Sequence, residues 1–242
     1  MSEDAVTDAP EGESAPPPAP PKTRLWDLPV RLVHWSFALL LPALWWTWKS
    51  GDMSTHRLLG YVTLGLLLFR IYWGFAGSST ARFASFVRGP RAVFAYARGL
   101  FSKSSDKTIG HNPIGALSVL ALLGAMLLQV ALGLFAQDTD GIESGPLSDL
   151  VSYELSDLAR DLHEQLFNII LALVALHLLA ILFYALVKRD NLVGPMITGR
   201  KALDESAEPP RFAPLWRGLV GVALAAGVSG WVAQGLPLPG VN

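Results

Sequence analysis

Residues 162–182 read LHEQLFNIILALVALHLLAIL, a run apolar enough to sit in lipid that nevertheless carries His163 and His177. It belongs to a span over 163–187, and four further apolar spans lie near 28–48, 58–76, 114–136 and 215–234. About 20 apolar residues in a helix cross the roughly 30 Å hydrocarbon core of a bilayer. In lipid every backbone polar group must be satisfied within its own segment, so spans without strand alternation are expected to be helices. The eight Trp suit the aromatic belts of a membrane protein. The expectation is an all-α integral membrane protein.

The intervening segments set the organisation. Residues 1–22 hold five acids and a cluster of prolines, which cannot bury a core and read as a disordered tail. No basic n-region precedes an apolar run there, so it does not read as a signal peptide. Residues 77–112 carry six bases (Arg82, Arg88, Arg91, Arg98, Lys103, Lys107) against Asp106 alone. Residues 137–162 carry seven acids (Asp138, Asp140, Glu143, Asp149, Glu154, Asp157, Asp161) against Arg160 alone. The excess of Lys and Arg in cytoplasmic loops then puts the N-terminus and the basic loop inside and the acidic loop outside. Interleaved aromatics and bases in 77–112 fit either a short amphipathic helix on the anionic inner leaflet or a solvated basic loop. Residues 23–201 form the expected four-helix bundle, 202–214 a linker, and 215–242 a fifth transmembrane helix, an appendage, with a short outer tail.

The chemistry rests on five histidines, because the chain has no Cys. That excludes disulfides, thiolate metal sites, cysteine-ligated iron–sulfur clusters and haem attached through C-x-x-C-H. His163 and His177 are fourteen residues apart. That is close to four turns and about 21 Å of helix axis, so both lie on one face at different depths. His56, at the start of the second span, matches the depth of His163; His34, inside the first, matches His177. Two pairs, each from two helices of a bundle, are suited to axial ligation of two non-covalent b-type haems. Satisfied interhelical hydrogen bonds are the bland alternative for any one of them, and zinc with Glu164 is a weaker one.

Haem propionates would need cations. Arg70 lies fourteen residues after His56, on the same face and at the inner depth, either for a propionate or snorkelling to the surface. Arg57 could serve the outer haem. His111, in GHNPIGA beside a helix start, could bond the inner propionate, replace His34 as ligand, or be a surface residue. Gln129, Trp26 and His111 are candidates for a quinone site, and Gln129 is equally suited to an interhelical hydrogen bond.

RLWDLPVRLVHW at 24–35, THRLLGY at 55–61, GHNPIGALSVLALL at 110–123, LHEQLFNIILALVALH at 162–177 and RDNLVGPMITGRK at 189–201 occur in that order. Together they resemble the bacterial cytochrome b561 family, which includes the cytochrome b subunits of nickel–iron hydrogenases. The resemblance covers about residues 24–201 and implies two b haems ligated from the first, second and fourth helices, at the positions of His34, His56, His163 and His177. It leaves out the acidic tail and the fifth span. It implies an inner-membrane electron carrier, in a respiratory chain, between a quinone pool and a periplasmic cytochrome c or a hydrogenase-type redox enzyme. Lipid is the other expected partner, and no nucleic acid is. A quinone oxidoreductase acting on its own, a haem-binding sensor or assembly anchor without turnover, and a non-haem transporter are the rival classes.

Overall fold

The computed structural model describes residues 22–100, 110–202 and 208–237. The acidic tail before Lys22, Lys103, Asp106 and Lys107 of the basic loop, part of the linker and the last five residues lie outside them. Helices α1 (Leu28–Lys49), α2 (Met53–Ala76), α3 (Phe83–Phe86), α4 (Pro90–Gly99), α5 (Pro113–Phe135), α6 (Tyr153–Leu186), α7 (Val193–Thr198) and α8 (Leu215–Ala233) make up the chain. Two three-residue strands, β1 (Lys22–Arg24) and β2 (Arg200–Ala202), accompany them. Among the described residues five helices (α1, α2, α5, α6 and α8) are long and apolar enough to cross a membrane. Their outer faces expose large apolar side chains along the whole length, such as Leu39, Phe75 and Leu179. A patch of that extent suits lipid and not water.

Helix starts follow the caps. Asp27 accepts from the Val30 amide at 3.0 Å, with Pro29 in the first turn, and opens α1. Asp52 does the same for α2 through the Thr55 amide at 3.1 Å. Asn112 accepts from the Gly115 amide at 2.7 Å and Pro113 follows, so α5 begins where the Asn-Pro pair suggests. α6 starts at Tyr153 rather than at 163 and runs for 34 residues. That is about 51 Å, so its first turns, bearing Glu154, Asp157 and Asp161, stand clear of a core of roughly 30 Å.

α1 packs on α2, α2 on α5 and α5 on α6, whereas the α1–α6 side is loosely packed. One end of the bundle carries the acidic loop, the other the basic one. Leu67, Met126 and Ile170 are buried together at mid-height. Leu25, Trp26, Val30, Val33, Phe69 and Trp73 form a second buried cluster toward the basic end, and Phe37 packs against both.

α8 lies along α2. Its buried face is small: Gly218, Gly221, Ala225 and Ser229. A Cβ at Gly221 would come within 2.5 Å of the Tyr72 ring, and the Ser229 hydroxyl donates to the Tyr61 carbonyl at 2.6 Å. Small residues permit this close approach, and the hydroxyl adds polar bonding between membrane helices.

The basic end is closed by a clasp. β1 and β2 pair antiparallel, with Thr23 opposite Lys201. Arg31 donates to the carbonyls of Met196 and Ile197, and Lys201 pairs with Asp190 at 2.8 Å. The described part of the basic loop contains α3 and α4. α4 is held by Tyr96, whose hydroxyl lies 2.8 Å from that of Tyr184 on α6.

Candidate functional site

The four intramembrane histidines meet in two pairs. At the acidic end His56 of α2 faces His163 of α6 with ring centroids 6.3 Å apart. At the basic end His34 of α1 faces His177 of α6, also at 6.3 Å. Leu67, Met126 and Ile170 fill the level between them.

The acidic-end pair is oriented by backbone. His56 Nδ1 donates to the Leu44 carbonyl at 3.0 Å, and His163 Nδ1 donates to the Gln129 carbonyl at 2.8 Å. A proton fixed on Nδ1 leaves the Nε2 lone pair free, which is the tautomer of a metal-ligating imidazole. Gln129 locks its side of the contact, because its own amide donates to the His163 carbonyl at 2.9 Å. Gly133, one turn on, leaves room for the ring: a Cβ there would lie 2.8 Å from His163 Cε1. A cavity of about 390 Å³ opens beside the pair, with Gly60, Gly133, Arg57 and Arg160 among its walls. A Cβ at Gly60 would meet nothing within 4 Å, so this wall borders open space. Arg57 forms an ion pair with Glu143 of the acidic loop, and Arg160 pairs with Asp157 at 2.6 Å and Asp161 at 3.0 Å.

The basic-end pair is enclosed and less saturated. His34 Nδ1 is buried without a hydrogen-bond partner, and His177 Nδ1 lies 3.5 Å from the Ser118 hydroxyl. Beside them Arg70 is only 6% exposed, yet its one hydrogen bond among the described residues reaches the Ala81 carbonyl at 3.4 Å. The nearby Asp27 carboxylate is occupied by the Val30 amide and by Trp73 Nε1 at 2.8 Å. His111 is wedged between Trp26 and Phe86, with centroids 4.8 and 4.6 Å away, and its Nδ1 is shut off from solvent and unpartnered. Burial drives its pKa down to about 3, and Arg70, His177 and His34 add to the shift. His111 is thus half-buried next to the basic-end pair, with its Nδ1 turned inward.

A planar cofactor with two axial imidazoles fits these residues. Imidazoles that share one metal ion at about 2 Å from each nitrogen hold their ring centroids roughly 6 Å apart. Both pairs have that separation. The under-bonded Arg70 guanidinium is a buried cation that an anionic group of the ligand would satisfy. Zinc fits less well, because no three His or acidic side chains among the described residues converge as a metal site, with or without Glu164.

Over residues 25–199 the chain matches the family model described as prokaryotic cytochrome b561. The chain belongs to the prokaryotic cytochrome b561 family. It is therefore a multi-pass bacterial membrane protein of a haem b electron-transfer family. No curated protein and no solved structure matches it. The b561 match stops at 199, so α8 lies beyond it, yet α8 packs on the α2 that carries His56 and Arg70.

The sequence pointed to the four histidines, Arg70 and, as an interhelical donor, Gln129, but not to the other groups around them. Gly133 carried a usable signal, since it lies one turn after Gln129 on the same helix face. The Leu44 carbonyl carried none, because a backbone acceptor has no letter in the sequence. Ser118 and the Tyr96–Tyr184–Asn112 chain, in which Asn112 donates to Tyr184 at 2.7 Å, were missed as well.

Proposed function

We propose that this b561 protein holds two b haems and carries electrons between a quinone pool and a redox partner on one face of the bacterial inner membrane. His56 and His163 hold the acidic-end haem, and His34 and His177 the basic-end haem. The single observation that carries this reading is the repeat of one 6.3 Å imidazole pair at two levels of one bundle, with α6 supplying a member of each.

Bound between these imidazoles, haem would supply a reversible one-electron store. The rest is the work of the chain. The Leu44 and Gln129 carbonyls accept from Nδ1 of the acidic-end imidazoles and keep the rings aimed. Leu67, Met126 and Ile170 keep water out of the level between the sites. Arg70, with His111 alongside, meets a propionate at the basic end, and Arg57 shares itself between Glu143 and one at the acidic end. The basic end faces the cytoplasm, as does the N-terminus, and the acidic loop faces a periplasmic cytochrome c or redox enzyme.

A reduced-minus-oxidised spectrum with a pyridine haemochrome assay tests this, with two b haems per chain expected. His177→Ala should remove one haem and leave the acidic-end one. Retention of both would sink the pairing.

A further inference from the structure

α4 is held at one height of the bundle. The Tyr96 hydroxyl lies 2.8 Å from that of Tyr184, to which Asn112 also donates at 2.7 Å. Tyr184 is in the last turn of α6, and Asn112 caps the start of α5. α4 is thus fixed where two membrane-crossing helices end, which is the level of lipid head groups. Its residues fall into arcs around the helix at about 100° per residue. Val93, Tyr96 and the C-cap Leu100 share one arc and are half-buried. Pro90, Phe94 and Ala97 take the next arc and are exposed, Phe94 at 67%. Arg91 and Arg98 stand about 60° and 40° beyond Phe94, and Ala92 lies on the far side, about 160° from it.

The charge on this surface is unopposed. Arg82, Arg88, Arg91 and Arg98 are exposed, and among the described residues none of them is in an ion pair. Residues 77–100 contain no Asp or Glu. Arg88 bends back onto the chain, donating to the Ser85 carbonyl at 2.8 Å and the Val87 carbonyl at 3.3 Å. Arg91 and Arg98 make no such bond among the described residues. Their guanidinium donors are free, on one edge of the helix and about 10.5 Å apart along its axis.

We propose that α4 lies in the membrane interface, seats Phe94 among the acyl chains and binds anionic phospholipid head groups through Arg91 and Arg98. An apolar arc edged by bases is the pattern of a helix lying in the interface plane. A guanidinium can hold a phosphate through two parallel hydrogen bonds, and its alkyl stem can lie along the apolar arc. The charge balance selects the lipid class. A zwitterionic head group would bring its ammonium against two guanidiniums, with no carboxylate in residues 77–100 to receive it. An acidic soluble protein could pair with the arginines but would leave Phe94 bare.

The chain has no Cys, so one introduced cysteine in the full-length protein is a unique attachment point. Bimane on Ala97→Cys reports the lipid side of α4, and bimane on Ala92→Cys the water side. The protein is placed in nanodiscs of mixed phosphatidylcholine and phosphatidylglycerol. Brominated phosphatidylglycerol should quench the label at 97 more strongly than brominated phosphatidylcholine at the same mole fraction, and neither should quench at 92. Arg91→Gln with Arg98→Gln should erase most of that preference, a loss of roughly five-fold for each arginine, at an unchanged melting temperature. Arg91→Lys with Arg98→Lys should keep most of it. Equal quenching by the two lipids with the arginines intact would overturn the proposal. So would quenching at 97 by aqueous iodide and not by lipid. Loss of the preference in millimolar inorganic phosphate would overturn it in favour of a free-phosphate site. A preference that emerges only once Glu3, Asp4, Asp8, Glu11 and Glu13 are neutralised would overturn it in favour of the acidic tail as occupant.

Discussion

Arg70 is a full charge enclosed by protein, and its only hydrogen bond among the described residues is a long one to a carbonyl. A buried charge without a close counter-ion is destabilising, and an apolar residue of similar volume is often better for the fold. In Arg70→Met the two effects should therefore separate. Thermal stability of the haem-depleted protein should rise or hold, while the basic-end haem is retained more weakly. The midpoint potential of that haem should fall, because removing a nearby positive charge favours the ferric state, by something on the order of tens of millivolts. A redox titration alongside a haem-loss assay reads both; an unchanged potential with unchanged retention would take Arg70 out of the site. Arg70 was visible in the sequence because an Arg inside an apolar span is conspicuous. Ala81 and Phe86 were not: they reach the site only through the fold of the segment between α2 and α4.

Among the elements, α6 shows what hydropathy can and cannot locate. Its histidine spacing was readable, since fourteen residues return to the same face. Its start was not, because the helix continues past the apolar run into Tyr153–Asp161, where acids occupy exposed turns. Hydropathy marks where lipid ends, and the backbone has no reason to unwind there. The β1–β2 clasp was beyond reach for another reason: three-residue strands are too short for alternation to register, and their pairing joins the two ends of the bundle sequence. α8 gives a prediction at this scale. A side chain at position 221 must displace the Tyr72 ring, so Gly221→Val should cost about 1–3 kcal/mol, the usual range for overpacking. The expected outcome is a lower melting temperature in detergent with both haems still present. An unchanged melting temperature would mean that α8 does not support α2.

At the scale of the whole molecule the two ends differ in charge, and that asymmetry was legible from loop composition alone. Its consequence for binding depends on which acids are free. Glu143 is held by Arg57, and Asp157 and Asp161 are held by Arg160. Asp140, Asp149 and Glu154 are exposed and, among the described residues, in no ion pair, and Ile142 and Leu150 stand out beside them at 79% and 61% exposure. Apolar points within a rim of free carboxylates suit a partner with a basic face around its own redox centre. Such steering speeds encounter by 10-fold or more at low salt and fades as the Debye length shrinks to roughly 10 Å at 0.1 M. Replacing Asp140, Asp149 and Glu154 by Asn, Asn and Gln should therefore slow electron transfer to a basic soluble cytochrome c at low ionic strength. At high ionic strength the variant and the unaltered protein should converge. Stopped-flow kinetics across a salt series separates this from a change in the haems, because a shifted potential would alter the rate at every salt concentration. Equal rates at low salt would remove the acidic loop as a docking face.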